Sequence, residues 1–569
     1  MNESCSFYTC EQGSYFIHSL KDFSAYQGWC VFFDKNWDLF KVIDLISSDF
    51  NVFFSDKTLL LERDSSADFF VDLDFRFVHD FDSKGRIYEV YEKNDSLIVK
   101  YTKFFDDSLS EVVFSRFLAI KGLGSYDLLK NWIKKFYSYD AERGSLSELF
   151  VFRLLRSNSK KISFGFGLNE EEAIVNSLVK PVVKKRNDLF VDNNVQKKLF
   201  DEYKQALLSV DNAFSSCVKN VNHEFMIFAG YPWFFQVWGR DECISLVGLF
   251  SQKKFDVAKK IMIRNLRSVN KGILPNRLPE SVLGSADATG WLFQRIFLFL
   301  KISKNKDFGF SDKELLLVEE KLDEFIAYCR NNSSNGLVLN GPKETWMDTD
   351  VGVDSREGAR VEIQALFLSA LELKKYLRSL VGDSDSVFKF RNKIRNRKTL
   401  IRKQLIKDKV IRDGINDGSL DLSVRPNVFL AYYIYPGLAM KHQWSETFDF
   451  VLKESWLDWG GVSSIGKNHD LFVDTYSGMN NESYHHGDSW FFINNVVALV
   501  LYDFDAKKYR NKILKIRKAS VHELLYSGFV GFCAEVSSAK KLESKGCLSQ
   551  AWSSATLLEL LLKTKNIRI

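Results

Sequence analysis

One stretch limits the fold of this chain more than any other. Val361, Ile363, Ala365, Leu366, Phe367, Leu368, Ala370, Leu371 and Leu373 leave almost no polar face at helical spacing. A helix without a polar face must be enclosed on all sides. Further segments with helical periodicity are Val195–Val221, Phe255–Arg267, Asp287–Ile302, Asp312–Arg330, Arg360–Leu380, Phe388–Val410, Asp488–Asp503 and Ser549–Lys563. Some are apolar nearly all round and others amphipathic. That mixture predicts two concentric rings of helices, an α/α toroid, with sites on the loops between helices.

Before about residue 180 the period is different. Phe69–Phe77, Arg86–Tyr91, Ser96–Tyr101 and Glu111–Phe114 alternate apolar and polar residues at hairpin spacing, which predicts an antiparallel β-sandwich. Pro181, the run Lys184-Lys185-Arg186 and Asp192-Asn193-Asn194 mark a junction over about 180–195. The expected domains are therefore 1–185 (sandwich) and 195–569 (helical barrel). A chain of 569 residues is long enough for two such cores.

Charge decides little, because 79 basic and 73 acidic side chains leave a net charge of only +6. The basic run Lys389, Arg391, Lys393, Arg395, Arg397, Lys398, Arg402 and Lys403 is interleaved with Ile394, Leu400, Ile401 and Leu405, so it predicts a solvated outer helix and no nucleic-acid partner. The eight cysteines include no Cys-x-x-Cys pair, and reduced thiols are expected. Met1–Ser6 has no basic region followed by an apolar core, and no apolar run reaches the ~18 residues of a membrane span. A cytoplasmic location without membrane attachment is expected. His485 and His486 lack ligands at metal spacing, and no cofactor or metal is called for.

The chemistry is concentrated in three loops. Ala229–Asp241 sets Tyr231, Trp233, Phe234, Phe235 and Trp238 beside Arg240 and Asp241, flat apolar faces with donors and acceptors at their edge, as a sugar would require. The same run also reads as core rings followed by a helix-start cap. In Gly341–Asp348, Glu344 and Asp348 bracket Trp346; an acid next to an indole and away from water is expected to have a raised pKa and to serve as a general acid. Glu535 lies among small and apolar residues with no adjacent cation, which suits a base. Glycosidic hydrolysis needs one carboxyl on each side of the sugar. Asn276, Arg277, Asp287, Arg425, Asn427, Tyr484, His485 and Trp490 supply further sugar-holding material, although each is weak alone and the histidines also read as satisfied structural residues.

Residues from about 195 onward resemble the catalytic domain of the amylo-alpha-1,6-glucosidase family, the glucosidase part of glycogen debranching enzymes. The likeness runs in order through Tyr231–Asp241, Gly272–Arg277, Asp287-Ala288, Glu344–Asp348, Gly358 with Val361–Leu366 (including Glu362), Arg425–Asn427, Tyr484-His485 with Gly487 and Trp490, Glu535, and Gln550–Ser553. It implies an (α/α)6 barrel behind a β-sandwich and an inverting exo-α-glucosidase acting at α-1,6 branch points of glycogen or limit dextrin. It further implies Asp348 as general acid, Glu535 as general base, and a glucose held by Arg240 and Asp241. Glu242 stands where the family carries Thr, Ser355 where it carries Pro, and Phe491 where Pro follows the Trp. The alternatives are a glucoamylase- or trehalase-like enzyme of the same barrel class and an oligosaccharide-binding protein without turnover. Preferred branch length and oligomeric state are not fixed by these residues.

Overall fold

The computed structural model describes residues 6–19, 21–33, 38–181, 202–278, 284–303, 309–349 and 354–566. The chain forms two compact units, 1–198 with 220–222, and 199–219 with 223–569. The junction expected at 180–195 lies, from residue 182 on, outside the described residues.

The first unit contains β1 (Ser6–Thr9), β2 (Tyr15–His18), β3 (Gly28–Phe33), β4 (Asp38–Ile46), β5 (Asn51–Phe54), β6 (Thr58–Glu62), β7 (Phe69–Phe77), β8 (Arg86–Lys93), β9 (Ser96–Phe104), β10 (Val112–Lys121), β11 (Tyr126–Phe136), β12 (Glu148–Ser157) and β13 (Lys161–Gly167), with short helices α1 (Ser138–Glu142) and α2 (Glu170–Leu178). They form two sheets, in the orders β1-β2-β3-β4-β7-β12-β11 and β5-β6-β13-β10-β9-β8. Neighbouring strands pair antiparallel, as in β4 with β7 and β9 with β10. One core joins the sheets: Trp29, Phe40, Val71, Phe75 and Leu154 of the first meet Leu59, Val99, Leu118 and Phe164 of the second.

Alternation along β7 sends Phe69, Val71, Leu73 and Phe75 into this core. Its opposite face departs from the simple pattern, because Asp72, Asp74 and Arg76 are buried too. Lys135 lies 2.7 Å from Asp72, Arg76 lies 2.7 Å from Asp74 and Arg86 lies 2.9 Å from Asp74. Charges out of water are tolerated only when paired in this way.

The second unit is helical: α3 (Glu202–Cys217), α4 (Gly239–Ser251), α5 (Phe255–Ser268), α6 (Ala288–Ser303), α7 (Asp312–Asn331), α8 (Val361–Leu380), α9 (Ser384–Leu405), α10 (Asn427–Ile434), α11 (Lys441–Ser455), α12 (Phe491–Asp505), α13 (Arg510–Tyr526) and α14 (Ala551–Lys563). Helices α4, α6, α8, α10, α12 and α14 pack each against the next, and α14 returns to α4. The remaining helices pack against this closed series: α3 and α13 on α14, α5 on α4, α7 and α9 on α8, α11 on α10. The all-apolar stretch from Val361 is the enclosed part of α8, where even Glu362, Gln364 and Ser369 are buried.

Some boundaries move. The helix expected to run to Val221 stops at Cys217, where Val218–Val221 becomes a strand leading into a turn with Asn222 and His223 both at positive φ. The segment expected to be helical from Asp488 begins at Phe491, since Ser489-Trp490 pairs with Val536-Ser537. Helices α10, α11 and α13 were not foreseen. α10 is one short apolar run, which carries no period to separate helix from buried strand. Among the described residues no helix is long and apolar enough to cross a membrane.

Candidate active site

The candidate residues gather at one place in the topology, the N-terminal ends of the mutually packed helices. Arg240 and Asp241 open α4, Asp287 immediately precedes α6, Glu362 opens α8, Asn427 opens α10, Trp490 precedes α12 and Gln550 precedes α14. Short antiparallel bridges tie these ends together: Gly230-Tyr231 to Ser549-Gln550, Val237-Trp238 to Arg277-Leu278, and Ser489-Trp490 to Val536-Ser537. Helix N-termini present free N–H groups and positive potential, a setting that favours carboxylates.

Arg240 is the hub. Its Nε donates to both oxygens of Asp287 at 2.7 and 2.9 Å, its Nη1 to Asp348 Oδ2 at 3.1 Å, and its Nη2 to the Glu344 carbonyl at 3.3 Å. Despite full burial the guanidinium is held charged by Asp287 and Asp348. Asp348 keeps 36 % of its side chain exposed, whereas Arg240 and Asp287 are sealed.

The ionisation expected of Asp348 is corrected by the structure. Burial does raise its pKa, but the contact with His485 and the charge of Arg240 outweigh burial, and the carboxyl lies below its ordinary value. The Trp346 indole that was expected to raise it faces elsewhere. Trp346 donates to Asn427 Oδ1 at 2.8 Å and packs edge-on against His485, Trp490 and Phe492. It is therefore a buried support.

His485 Nε2 stands 3.6 Å from Asp348 Oδ1, an ion-pair distance slightly beyond a hydrogen bond. Burial pushes the imidazole down to about 4, so it is neutral near pH 7. Asp241 behaves in the opposite way. Burial, with the nearby charges of Asp348 and Glu535, pushes it up to about 8 against the pull of Arg240. Gln550 Nε2 donates to its Oδ1 at 3.4 Å.

Glu535 is buried in a cradle of donors. Tyr484 Oη donates to its Oε1 at 2.7 Å and the Cys547 N–H to its Oε2 at 3.0 Å. Phe491 donates its N–H to the Glu535 carbonyl at 3.1 Å, a bond that a proline there would lack. Asp348 and Glu535, remote in sequence, both act electrostatically on Asp241 and on Tyr484. Tyr484 also lies ring against ring with His485 at 4.9 Å.

Other expected residues occupy different places. Tyr231 and Trp233 are buried, and the Tyr231 carbonyl accepts from the Cys547 thiol at 2.8 Å. Trp238 is partly exposed, with the Arg277 guanidinium 5.6 Å from its ring centre. The Asn276 carbonyl accepts from the Gly239 N–H at 3.0 Å, and Trp490 donates to the Tyr484 carbonyl at 2.8 Å. The structure does not bring Glu344, Glu362 or Arg425 to the two acids as open hydroxyl partners. Glu344 turns its carboxylate back on the Gly341 N–H at 2.6 Å, Glu362 pairs with Arg356 at 3.0 Å, and Arg425 binds Asp354 and the His485 carbonyl. Glu242 points the other way, to Arg264, Asn265 and the Ile227 N–H.

The sequence reading missed the supports. Arg356 links Asp413 at 2.9 Å and Thr345 Oγ1 at 2.8 Å, holding the Asp348 loop from behind. Asp354 accepts from His486 Nε2 at 2.7 Å and from Arg425, which anchors the His485 loop. Their one sequence signal is a charge lodged close to the start of an enclosed helix.

The model of a family described as Amylo-alpha-1,6-glucosidase matches residues 208–559. Among solved structures, a bacterial glucoamylase complexed with acarbose aligns with a TM-score of 0.61 at 11 % identity, covering 100 % of this chain and 94 % of that one. A GH63 mannosylglycerate hydrolase from Thermus thermophilus in complex with Tris gives 0.47 at 12 % identity, over 63 % and 98 %. At such identity the glucoamylase likeness shows a shared fold, antiparallel sheets followed by a helical region. A search among curated proteins found no match.

Proposed function

The chain belongs to the amylo-alpha-1,6-glucosidase family, whose members are glycosidases, and from that premise we propose that it is an inverting exo-α-glucosidase releasing single glucose units at α-1,6 branch points of a glycogen-like polymer. The observation that carries the reading is the joint action of Asp348 and Glu535 on Asp241 and Tyr484 at one cluster of helix N-termini. The closed packing of α4, α6, α8, α10, α12 and α14, with outer helices against it, supports assignment to the (α/α)6 barrels.

In the proposed mechanism Asp348 protonates the departing oxygen while Glu535 takes a proton from the water that attacks the opposite face. Room for that water requires the carboxyls to stand about 6.5–9.5 Å apart. Asp348 is ionised in the sugar-free cluster. A sugar ring covering its exposed third removes the remaining solvent, strengthens the effect of burial and favours proton uptake. Tyr484 and the Cys547 N–H hold the two oxygens of Glu535 in place, so that the carboxyl can be aimed at water. Arg240, charged and fixed by Asp287, and Asp241, protonated near pH 7, are suited to the glucose hydroxyls.

The test is the first sugar released from a phosphorylase limit dextrin, followed by NMR. β-Glucose supports the proposal. The α-anomer rejects inversion, and turnover of maltose far above that of the dextrin rejects branch-point specificity.

A further inference from the structure

We propose that His485 is the positioning partner of Asp348, holding the one oxygen from which the acid can give up its proton. The inference deepens the proposed mechanism and rests on Asp348 being its acid.

Arg240 Nη1 lies 3.1 Å from Asp348 Oδ2. A guanidinium only donates, so Oδ2 must accept and the transferable proton belongs on Oδ1. That oxygen faces His485 Nε2 at 3.6 Å. His485 is 1 % exposed, and neither of its ring nitrogens has a hydrogen-bond partner among the described residues. A buried imidazole left so is costly unless a step of the cycle engages it.

The ring cannot turn to another partner. It lies flat on Trp490, centroids 5.1 Å apart with planes 4° apart, and Tyr484 and the edge of Trp346 close it in at 4.9 and 5.5 Å. The carbonyl of His485 is tied to Arg425 Nη1 at 2.9 Å. The charged and titratable groups around Asp348 are Arg240 and Asp241 on α4, Asp287 ahead of α6, and Tyr484 and His485 ahead of α12.

A neutral imidazole has one N–H and one bare nitrogen. With the proton on Nε2, the ring aims its N–H at Oδ1, whose lone pairs can accept both while it carries the transferable proton and after it has lost it. The imidazole therefore keeps one tautomer through the step in which the Oδ1 proton passes to the glycosidic oxygen as its bond to the anomeric carbon breaks. Solvent then returns a proton to Oδ1.

The experiment compares His485→Phe and His485→Gln in the full chain on limit dextrin and on α-glucosyl fluoride, whose fluoride leaves with little need of an acid. We expect His485→Phe to lower kcat on dextrin about 100-fold and to cost far less on the fluoride. The alkaline limb of its kcat/KM profile should move upward, because one of two groups holding Asp348 ionised is gone. His485→Gln, which can both donate and accept, should recover part of the dextrin activity. Equal losses on both substrates, or an unmoved alkaline limb, would show that His485 only packs and would overturn the inference. Asp348→Asn separates the two levels. If that variant hydrolyses dextrin normally, the acid assignment itself fails; if it loses dextrin but retains the fluoride while His485→Phe behaves as a packing variant, only the role of His485 falls.

Discussion

At the residue scale, the proposed mechanism depends on Asp241 and Asp348 being kept in different states by their neighbours. Asp241 lies 7 % exposed between two other carboxyls with its pKa at about 8, against 3.8 for an ordinary aspartate. Its folded-state pKa is raised, so between those two values the folded chain holds more protons than the unfolded one, and stability falls as pH climbs toward 8. Asp241→Asn mimics the protonated acid. Thermal unfolding should find it near the parent at pH 4 and increasingly more stable than the parent up to pH 8, since only the parent loses about 1.4 kcal/mol for each pH unit in that interval. Its KM should rise as well. Glu535 Oε1 accepts from the phenol of Tyr484, and Tyr484→Phe removes that donor. Steady-state kinetics should show kcat about tenfold lower with KM little changed, the pattern of a contact that matters mainly in the transition state. These ionisation states were not legible from residue neighbours in sequence. Trp346 stands two positions before Asp348, yet its indole faces Asn427, while Arg240 and His485 set the carboxyl.

At the scale of elements, Arg240, Asp241, Asp287 and Trp490 stand at or just before helix starts, while Asp348 and Glu535 lie on the loops between helices. α8 is enclosed along its length, whereas α9 carries its cations outward and buries only Ile394, Ile401 and Leu405. Leu368→Ala should therefore cost about 2–5 kcal/mol in denaturant unfolding. Lys393→Ala on α9 should stay within about 0.5 kcal/mol. Gly546 illustrates a local requirement of the same kind. Its φ is +67° and a Cβ there would collide with Glu535 Oε2, so glycine is what lets the loop close around Glu535. Gly546→Ala should reduce kcat at least about tenfold, since displacing a catalytic group by as little as ~1 Å is costly. The apolar face of α8 and the strand alternation of β7 were legible, because burial imposes a period on the chain. The bridges Gly230-Tyr231 to Ser549-Gln550 and Ser489-Trp490 to Val536-Ser537 were not, since two-residue strands carry no period at all.

At the scale of the whole molecule, the basic helix α9 is the remaining feature that suggests a different partner. Its cations are spread along a helix that buries only Ile394, Ile401 and Leu405. The chain should show no salt-sensitive retention on immobilised DNA at physiological ionic strength, a column measurement in which strong retention would reopen that reading. By itself the sequence determined that an alternating, sheet-forming part precedes a helical part, that α8 must be wrapped by other helices, and that Arg240, Asp241, Asp348 and Glu535 stand among residues able to hold a sugar. Periodicity and residue chemistry are local properties, so a linear reading captures them. Only the tertiary structure decided that Arg240 would bind Asp287 and Asp348 together, that His485 would face Asp348 Oδ1, and that Arg425, Glu344 and Glu362 would turn to supporting partners. Those outcomes depend on distance and solvent access between segments far apart in the chain, and distance and solvent access set the charge that each acid carries.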